Sequence, residues 1–274
     1  MEINKVDNFK EDEIIIHPTA SVHPNAVLHD GVVIGQGAII GSDVIIGSRT
    51  KVGANANIQG KTKIGKCNNI FPNVFIGFEP QDLKYKGAHT EVIIGDNNTF
   101  RECVTINKAT YEEEKTILGN NNLLMAYTHI GHNCELGNNI ILSNSVQVAG
   151  HVKIEDNAIV GGCLGIHQFV HIGYLAMIGG MTGVLSDVIP FGLSLGNRNN
   201  LVGLNLIGLR RAKISNEDIK ILQKFYDIVF CNQNFRFNIE NLNADIKENI
   251  YVKIIIDFVN SDKKRPISLP ENIK

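Results

Sequence analysis

A six-residue period runs through most of this chain. Stepping by six from Ile16 meets Val22, Leu28, Ile34, Ile40, Ile46, Val52, Ile58, Ile64, Ile70 and Ile76. The register resumes at Ile94, Phe100 and Ile106. It resumes again at Leu118 and continues through Leu124, Ile130, Leu136, Leu142, Val148, Ile154, Val160, Ile166, Ile172 and Ile178 to Val184. Only Asp82, Ala88 and Glu112 break it. A period of six matches neither the 3.6-residue turn of an α-helix nor the two-residue alternation of a plain strand. It matches a hexapeptide solenoid, in which each strand and its turn make one side of a prism and three sides make a coil of eighteen residues.

The residues between the repeats fit a narrow prism. Four positions after the large aliphatic, small residues recur, as at Ala20, Ala26, Ala38, Ala56, Ala158 and Ala176. A large and a small side chain pointing inward together fill a triangular interior. Glycine often follows the aliphatic, as at Gly35, Gly47, Gly53, Gly131 and Gly161. With the abundant Asn it is assigned to the corners, because both residues tolerate positive φ.

The pattern divides the chain. Residues 1–15 are an N-terminal extension, 16–190 the repeats, and 191–274 a different unit. All 26 glycines lie between Gly31 and Gly208, so the last 66 residues have none. Ser215 and Asp218 form a capping-box-like pair before a helical pattern over 216–231, with Ile219, Leu222, Phe225, Tyr226, Val229 and Phe230 on one side. Further helices are predicted near 240–249 and 252–260. Within the repeats, the segments 79–91 and 109–115 carry polar residues where the period wants aliphatics. Both return to register and read as loops expelled from a rigid scaffold, where function concentrates. The charged 109–115 loop reads as a neutral surface insertion; the Gln81–Tyr85 segment does not.

Composition narrows the function class. A net charge of −2 gives no basic field for nucleic acid or a membrane surface. The most apolar stretch, Ile172–Leu185, is too short and Gly-rich to span a bilayer, which predicts no membrane insertion. The charged start lacks an apolar secretory core. Five cysteines without CxxC spacing read as reduced, buried thiols. Together these predict a cytoplasmic protein.

Residues i and i+18 stack in such a coil, about 4.8 Å apart. This rule puts His132, Gly150 and Gln168 in one column, Gly131, Ala149 and His167 in the next, and Asn133 under His151. His129 lies near the same strip. Gly150 leaves an open slot with a bare backbone N–H between His132 and Gln168. A second column, Ala126, Asn144, Gly162 and Gly180, forms a trough largely free of side chains. Converging histidines allow a zinc site, as in a zinc hydratase, but their spacing does not suit a metal pair. A histidine base beside an oxyanion donor fits the slot better, and no metal is expected. A non-enzymatic scaffold is the remaining alternative.

The motifs QDLKY (81–85), NLLM (122–125), HIGH (129–132), AGH (149–151), HQF (167–169), IGG (178–180) and GLRR (208–211) resemble those of the acyl-carrier-protein-dependent UDP-N-acetylglucosamine O-acyltransferases. The resemblance covers nearly the whole chain. It implies a mainly β fold, a left-handed parallel β-helix of hexapeptide repeats followed by a small C-terminal α-helical domain. It implies a homotrimer with active sites between prisms and no cofactor. The implied reaction moves a (R)-3-hydroxyacyl group from acyl carrier protein to the 3-hydroxyl of UDP-N-acetylglucosamine, the first step of lipid A biosynthesis. By position, His132 resembles the general base and Gly150 the oxyanion donor. His129, Asn133, Asn144 and His151 resemble cleft residues. Gln81, Asp82 and Lys84 resemble sugar and acyl contacts, and His167 and Gln168 substrate-binding residues. Arg198, Asn205 and Arg211 resemble the nucleotide end, and Gly180 the position that limits acyl length. Asn133 departs from the family's usual Asp, Ala212 from a frequent Arg, and Arg198 from a common His. A diamino-sugar variant and the later N-acyltransferase of the same pathway are the related alternatives.

Overall fold

The computed structural model describes residues 12–262 and 265–273. Most of the N-terminal extension, residues 1–11, lies outside them. From Ile15 to Val184 the chain winds as short parallel strands that distribute over three faces. The first face carries strands from Ile15–Ile16 to Met177–Ile178, the second from Ser21–Val22 to Gly183–Val184, and the third from Val27–Leu28 to His171–Ile172. Neighbouring strands pair at i and i+18, as at His129↔Gln147 and Gln147↔Gly165. The hexad aliphatics and the small residues four positions on pack into one continuous core.

A ladder of asparagines also enters this core, each side chain accepting from a backbone N–H one coil on. Asn68 accepts from the Asn98 N–H at 2.9 Å, Asn98 from the Asn122 N–H at 2.9 Å, and Asn122 from the Ile140 N–H at 2.7 Å. These Asn are fully buried, so the ladder answers the backbone donors that a buried turn would otherwise leave orphaned.

The glycines have a different role from the one the sequence suggests. The positive-φ corner falls three residues after the aliphatic and is held more often by Asn than by any other residue, as at Asn55, Asn73, Asn121, Asn139 and Asn157. The glycine one residue after the aliphatic sits where successive coils nearly touch. A Cβ on Gly47 would lie 2.6 Å from the backbone carbon of Gly65. Close approach, not a left-handed turn, demands glycine there. The cysteines need a similar correction. Cys134 is buried, which pushes its thiol up to about 12. Cys163, at a positive-φ corner, and Cys231 are exposed.

Beyond Pro190 an antiparallel hairpin, Gly192–Leu195 with Asn200–Leu204, joins the first face. This hairpin is not foreseen by the helical reading of the tail. Among the described residues five α-helices follow, α1 (Leu206–Arg211), α2 (Asn216–Val229), α3 (Phe235–Glu240), α4 (Ala244–Lys247) and α5 (Ile250–Ser261), and then a 3-10 turn at Glu271–Ile273. Ser215 caps α2, its Oγ accepting from the Asp218 N–H at 3.0 Å. Of the helix predicted near 240–249 only the four-residue α4 forms, and α3 precedes it unpredicted. The helices bury Leu222, Phe225, Val252 and Ile255 in a second core against Phe191 and Leu201. Among the described residues no helix is long and apolar enough to cross a membrane.

Candidate active site

Three consecutive coils build the site at the corner between the second and third faces. The first loop leaves this corner after Phe75–Phe78, the second after Thr105–Asn107, and His132 follows in the next coil after His129–Ile130. The two loops therefore overhang the coils beneath His132. They also clasp each other. The His89 N–H donates to Glu112 at 2.9 Å, and the Glu113 N–H to the His89 carbonyl at 3.1 Å. The 109–115 loop is thus part of the site and not a neutral insertion.

His132 is 5% exposed and tightly fixed. Its Nδ1 lies 2.9 Å from both Asn133 Oδ1 and Thr110 Oγ1. The orientation of the Asn133 amide is set independently. Its Oδ1 accepts from the Thr110 N–H at 3.0 Å, and its Nδ2 donates to Glu114 Oε2 at 2.6 Å. An oxygen therefore faces His132 Nδ1, and Nδ1 must carry the proton. The opposite nitrogen, Nε2, keeps its lone pair. It projects over Gly150, where any Cβ would fall inside its van der Waals envelope.

The titratable neighbours of this ring are themselves perturbed. His129 lies with Nδ1 2.7 Å from Thr105 Oγ1, and burial, then the nearby His132, pushes its pKa down. Burial, then His132, does the same to His151, which meets His132 edge to face at 5.0 Å and stacks on Phe169 at 4.8 Å. Asp82 stays below the usual carboxylate range, chiefly through the Lys84 N–H at 3.0 Å. Its Oδ2 lies 3.9 Å from His132 Nε2, too far to occupy the lone pair. Among the described residues no three His, Cys, Asp or Glu side chains converge as metal ligands.

A cavity of about 260 Å³ brings Gln81, His129, His132, Gly150 and Gln168 together with Asn107 and Gln147. At the neighbouring corner, backbone N–H groups of Lys66, Asp96, Asn120 and Asn138 are each capped by a carboxylate or amide one coil on. No such bond among the described residues uses the Gly150 N–H. His151 and Asn133 support His132 from outside the cavity, and exposed His167 sits at its rim, Nδ1 3.2 Å from the Gln168 carbonyl. Exposed Lys84 lies on the first loop.

The remaining predicted residues lie elsewhere. Asn144 and Gly180 occupy the other edge of the second face, where Gly162 shares their column. Outward-facing Gly165 and Gly183, absent from the predicted set, widen that trough. The turn bearing Arg198 closes its far end, the Asn197 carbonyl accepting from the Gly183 N–H at 3.2 Å. Arg211 and Asn205 line a separate cavity of about 650 Å³ with Ile141, Ile159 and Met177 of the first face. Asn205 caps α1, accepting from the Gly208 N–H at 2.9 Å and donating to the Leu175 carbonyl at 3.0 Å. Sequence reasoning also missed Thr105, Asn107, Thr110 and Glu114. Thr105 pairs with His129 across 24 residues, because the second loop intervenes, so the eighteen-residue rule does not reach it; Thr110 and Glu114 lie on a loop to which the period does not apply.

Residues 115–150 match the bacterial transferase hexapeptide family, and residues 187–268 match domain 2 of UDP N-acetylglucosamine O-acyltransferase. An acyl-[acyl-carrier-protein]–UDP-N-acetylglucosamine O-acyltransferase from Rippkaea orientalis is 56% identical over 259 residues, 93% of this chain and 94% of its own. The chain belongs to the UDP-N-acetylglucosamine O-acyltransferase family. Solved members share its backbone. The UDP-N-acetylglucosamine acyltransferase from Bacteroides fragilis superposes with a TM-score of 0.88 at 37% identity, covering 93% of this chain and 99% of that one. The Francisella novicida UDP-N-acetylglucosamine acyltransferase does so with a TM-score of 0.86 at 34% identity, covering 93% and 94%. The fold is the expected left-handed parallel β-helix of hexapeptide repeats with a small helical domain.

Proposed function

We propose that this O-acyltransferase moves a (R)-3-hydroxyacyl group from acyl carrier protein to the 3-hydroxyl of UDP-N-acetylglucosamine, the first step of lipid A biosynthesis. The observation that carries the mechanism is the anchored Nδ1–H of His132, which leaves Nε2 as an unoccupied base above Gly150. Nε2 takes the proton of the sugar hydroxyl as its oxygen attacks the thioester carbonyl carbon. The Gly150 N–H receives the oxyanion. Collapse breaks the C–S bond, and the imidazolium returns its proton to the leaving thiolate. Asp82, close to Nε2, stabilises the imidazolium while it exists. The step needs no cofactor, and we assign it to the cytoplasm. Incubating UDP-N-acetylglucosamine with hydroxyacyl carrier proteins should give the 3-O-acyl product. Turnover of a 2,3-diamino analogue alone would overturn the acceptor.

The working unit in this reading is a homotrimer. The base lines a cavity beside the second face, whereas Arg211 and Asn205 line a separate cavity against the first, and we assign their meeting at one substrate to two prisms. Leu123, Ile141, Ile159 and Met177 stack in register on the first face as a half-exposed apolar stripe that a neighbour would cover. Light scattering after size exclusion should give the trimer mass; an active monomer would overturn it.

The acyl chain is assigned to the trough of Gly162, Gly165, Gly180 and Gly183. A Cβ on Gly180 would stand 3.1 Å from the Gly162 carbonyl, so a larger side chain there must project outward and fill the groove. Gly180→Met should shift preference from long to shorter hydroxyacyl chains, read as the ratio of kcat/KM across donor lengths. An unchanged ratio contradicts this assignment.

A further inference from the structure

We infer that Glu114 is the charged member of a three-residue relay, His132–Asn133–Glu114, and positions and polarises the base without touching substrate. This rests on His132 acting as the base. The residue after the base is Asn133, whose neutral amide cannot supply charge itself. The hydrogen bonds supply it one residue further out. His132 Nδ1–H donates to Asn133 Oδ1 at 2.9 Å, and Asn133 Nδ2–H donates to Glu114 Oε2 at 2.6 Å. Both donors in the chain point toward the carboxylate, so each bond polarises the next. As Nε2 takes up a proton, the positive charge on the ring draws on a carboxylate through one amide.

Glu114 is well held for this role. It is partly buried, its Oε2 also accepts from the Tyr111 N–H at 3.3 Å, and its carbonyl accepts from the Glu91 N–H at 3.2 Å. Asn133 is anchored at its own N–H by Thr116 Oγ1 at 2.9 Å. The amide therefore cannot turn without losing three partners. Other charged or titratable groups around the ring are Asp82 and Lys84 on the first loop, His129 on the strand before it, and His151 one coil on. Of these only Asp82 is an anion, and it faces Nε2, not Nδ1.

The relay makes a reciprocal prediction. Glu114→Gln keeps an acceptor for Asn133 and removes only the charge. It should lower kcat about tenfold, with KM for both substrates within twofold of wild type and an unchanged melting temperature. The acidic limb of the kcat/KM profile should move to lower pH, because a base deprived of its anion holds a proton less firmly. Asn133→Asp alone places two carboxylates in contact and should also lower kcat. Combining the two substitutions moves the charge next to His132 and should recover kcat to within about threefold of wild type. Wild-type kcat in Glu114→Gln, or no recovery in the double variant, overturns the relay. So does a kcat loss that merely follows a loss of folded protein. The His132→Ala variant separates the two readings. If it is active, the base assignment itself fails; if it is inactive while Glu114→Gln is not, only the relay fails.

Discussion

His132→Ala is expected to lower kcat/KM by about 10²–10⁴-fold, the usual worth of a positioned base, in a protein that remains folded. The fold should tolerate the change because the partners left behind keep other bonds. Asn133 Oδ1 retains the Thr110 N–H, and Thr110 Oγ1 retains Asp82 Oδ2 at 3.4 Å. The backbone bond from the His151 N–H to the His132 carbonyl, 2.9 Å, does not involve the ring. Neither neighbouring histidine can substitute. His129 and His151 are held below the ordinary imidazole range, and their rings take part in a hydroxyl bond and an aromatic stack. Steady-state kinetics with a melting curve decide it. Activity within tenfold of wild type would remove His132 from the mechanism.

Gly150→Ala should be nearly as damaging, at about 10²-fold or more in kcat, the cost of misplacing a catalytic group by about an ångström. The backbone there does not require glycine, since Gly150 is not among the positive-φ residues. Alanine would instead drive its methyl into Nε2, Cε1 and Cδ2 of His132. The ring cannot retreat without breaking its bonds to Thr110 and Asn133. The methyl would also occupy the space above Nε2 where the hydroxyl must lie. Kinetics on the folded variant test this, and full activity would mean that the reaction does not take place over Gly150.

Much of the site was legible because coil arithmetic is rigid. Backbone pairing at i and i+18 makes the His132–Gly150–Gln168 column readable from residue numbers alone, and the cavity joins all three. The arithmetic stops where the chain leaves the prism. Thr110 and Glu114 reach His132 and Asn133 across separations of 22 and 19 residues, which no repeat dictates. The acidic 112–114 run looked like a solvated surface because sequence charge does not say which carboxylate turns inward. The role of the hexad glycines was misjudged for a related reason. Tolerance of positive φ is a property of one residue, whereas the clash at Gly47 belongs to two coils. The faces occupied by Arg198 and Arg211 depend on the hairpin after Pro190, where no period remains to count.

The parallel ladder that carries the site also sets a scale of length. From the strand of His129 to that of Gly183, whose N–H meets the Arg198 turn, the chain crosses three strand spacings. At about 4.8 Å each, this is a span of about 14 Å. Because each coil contacts only its neighbours, that span is quantised. It cannot drift by fractions, and it changes only when a whole coil is gained or lost. The protein thus holds its base and its arginine turn at the two ends of a graduated rod, and any substrate that engages both must match a whole number of divisions.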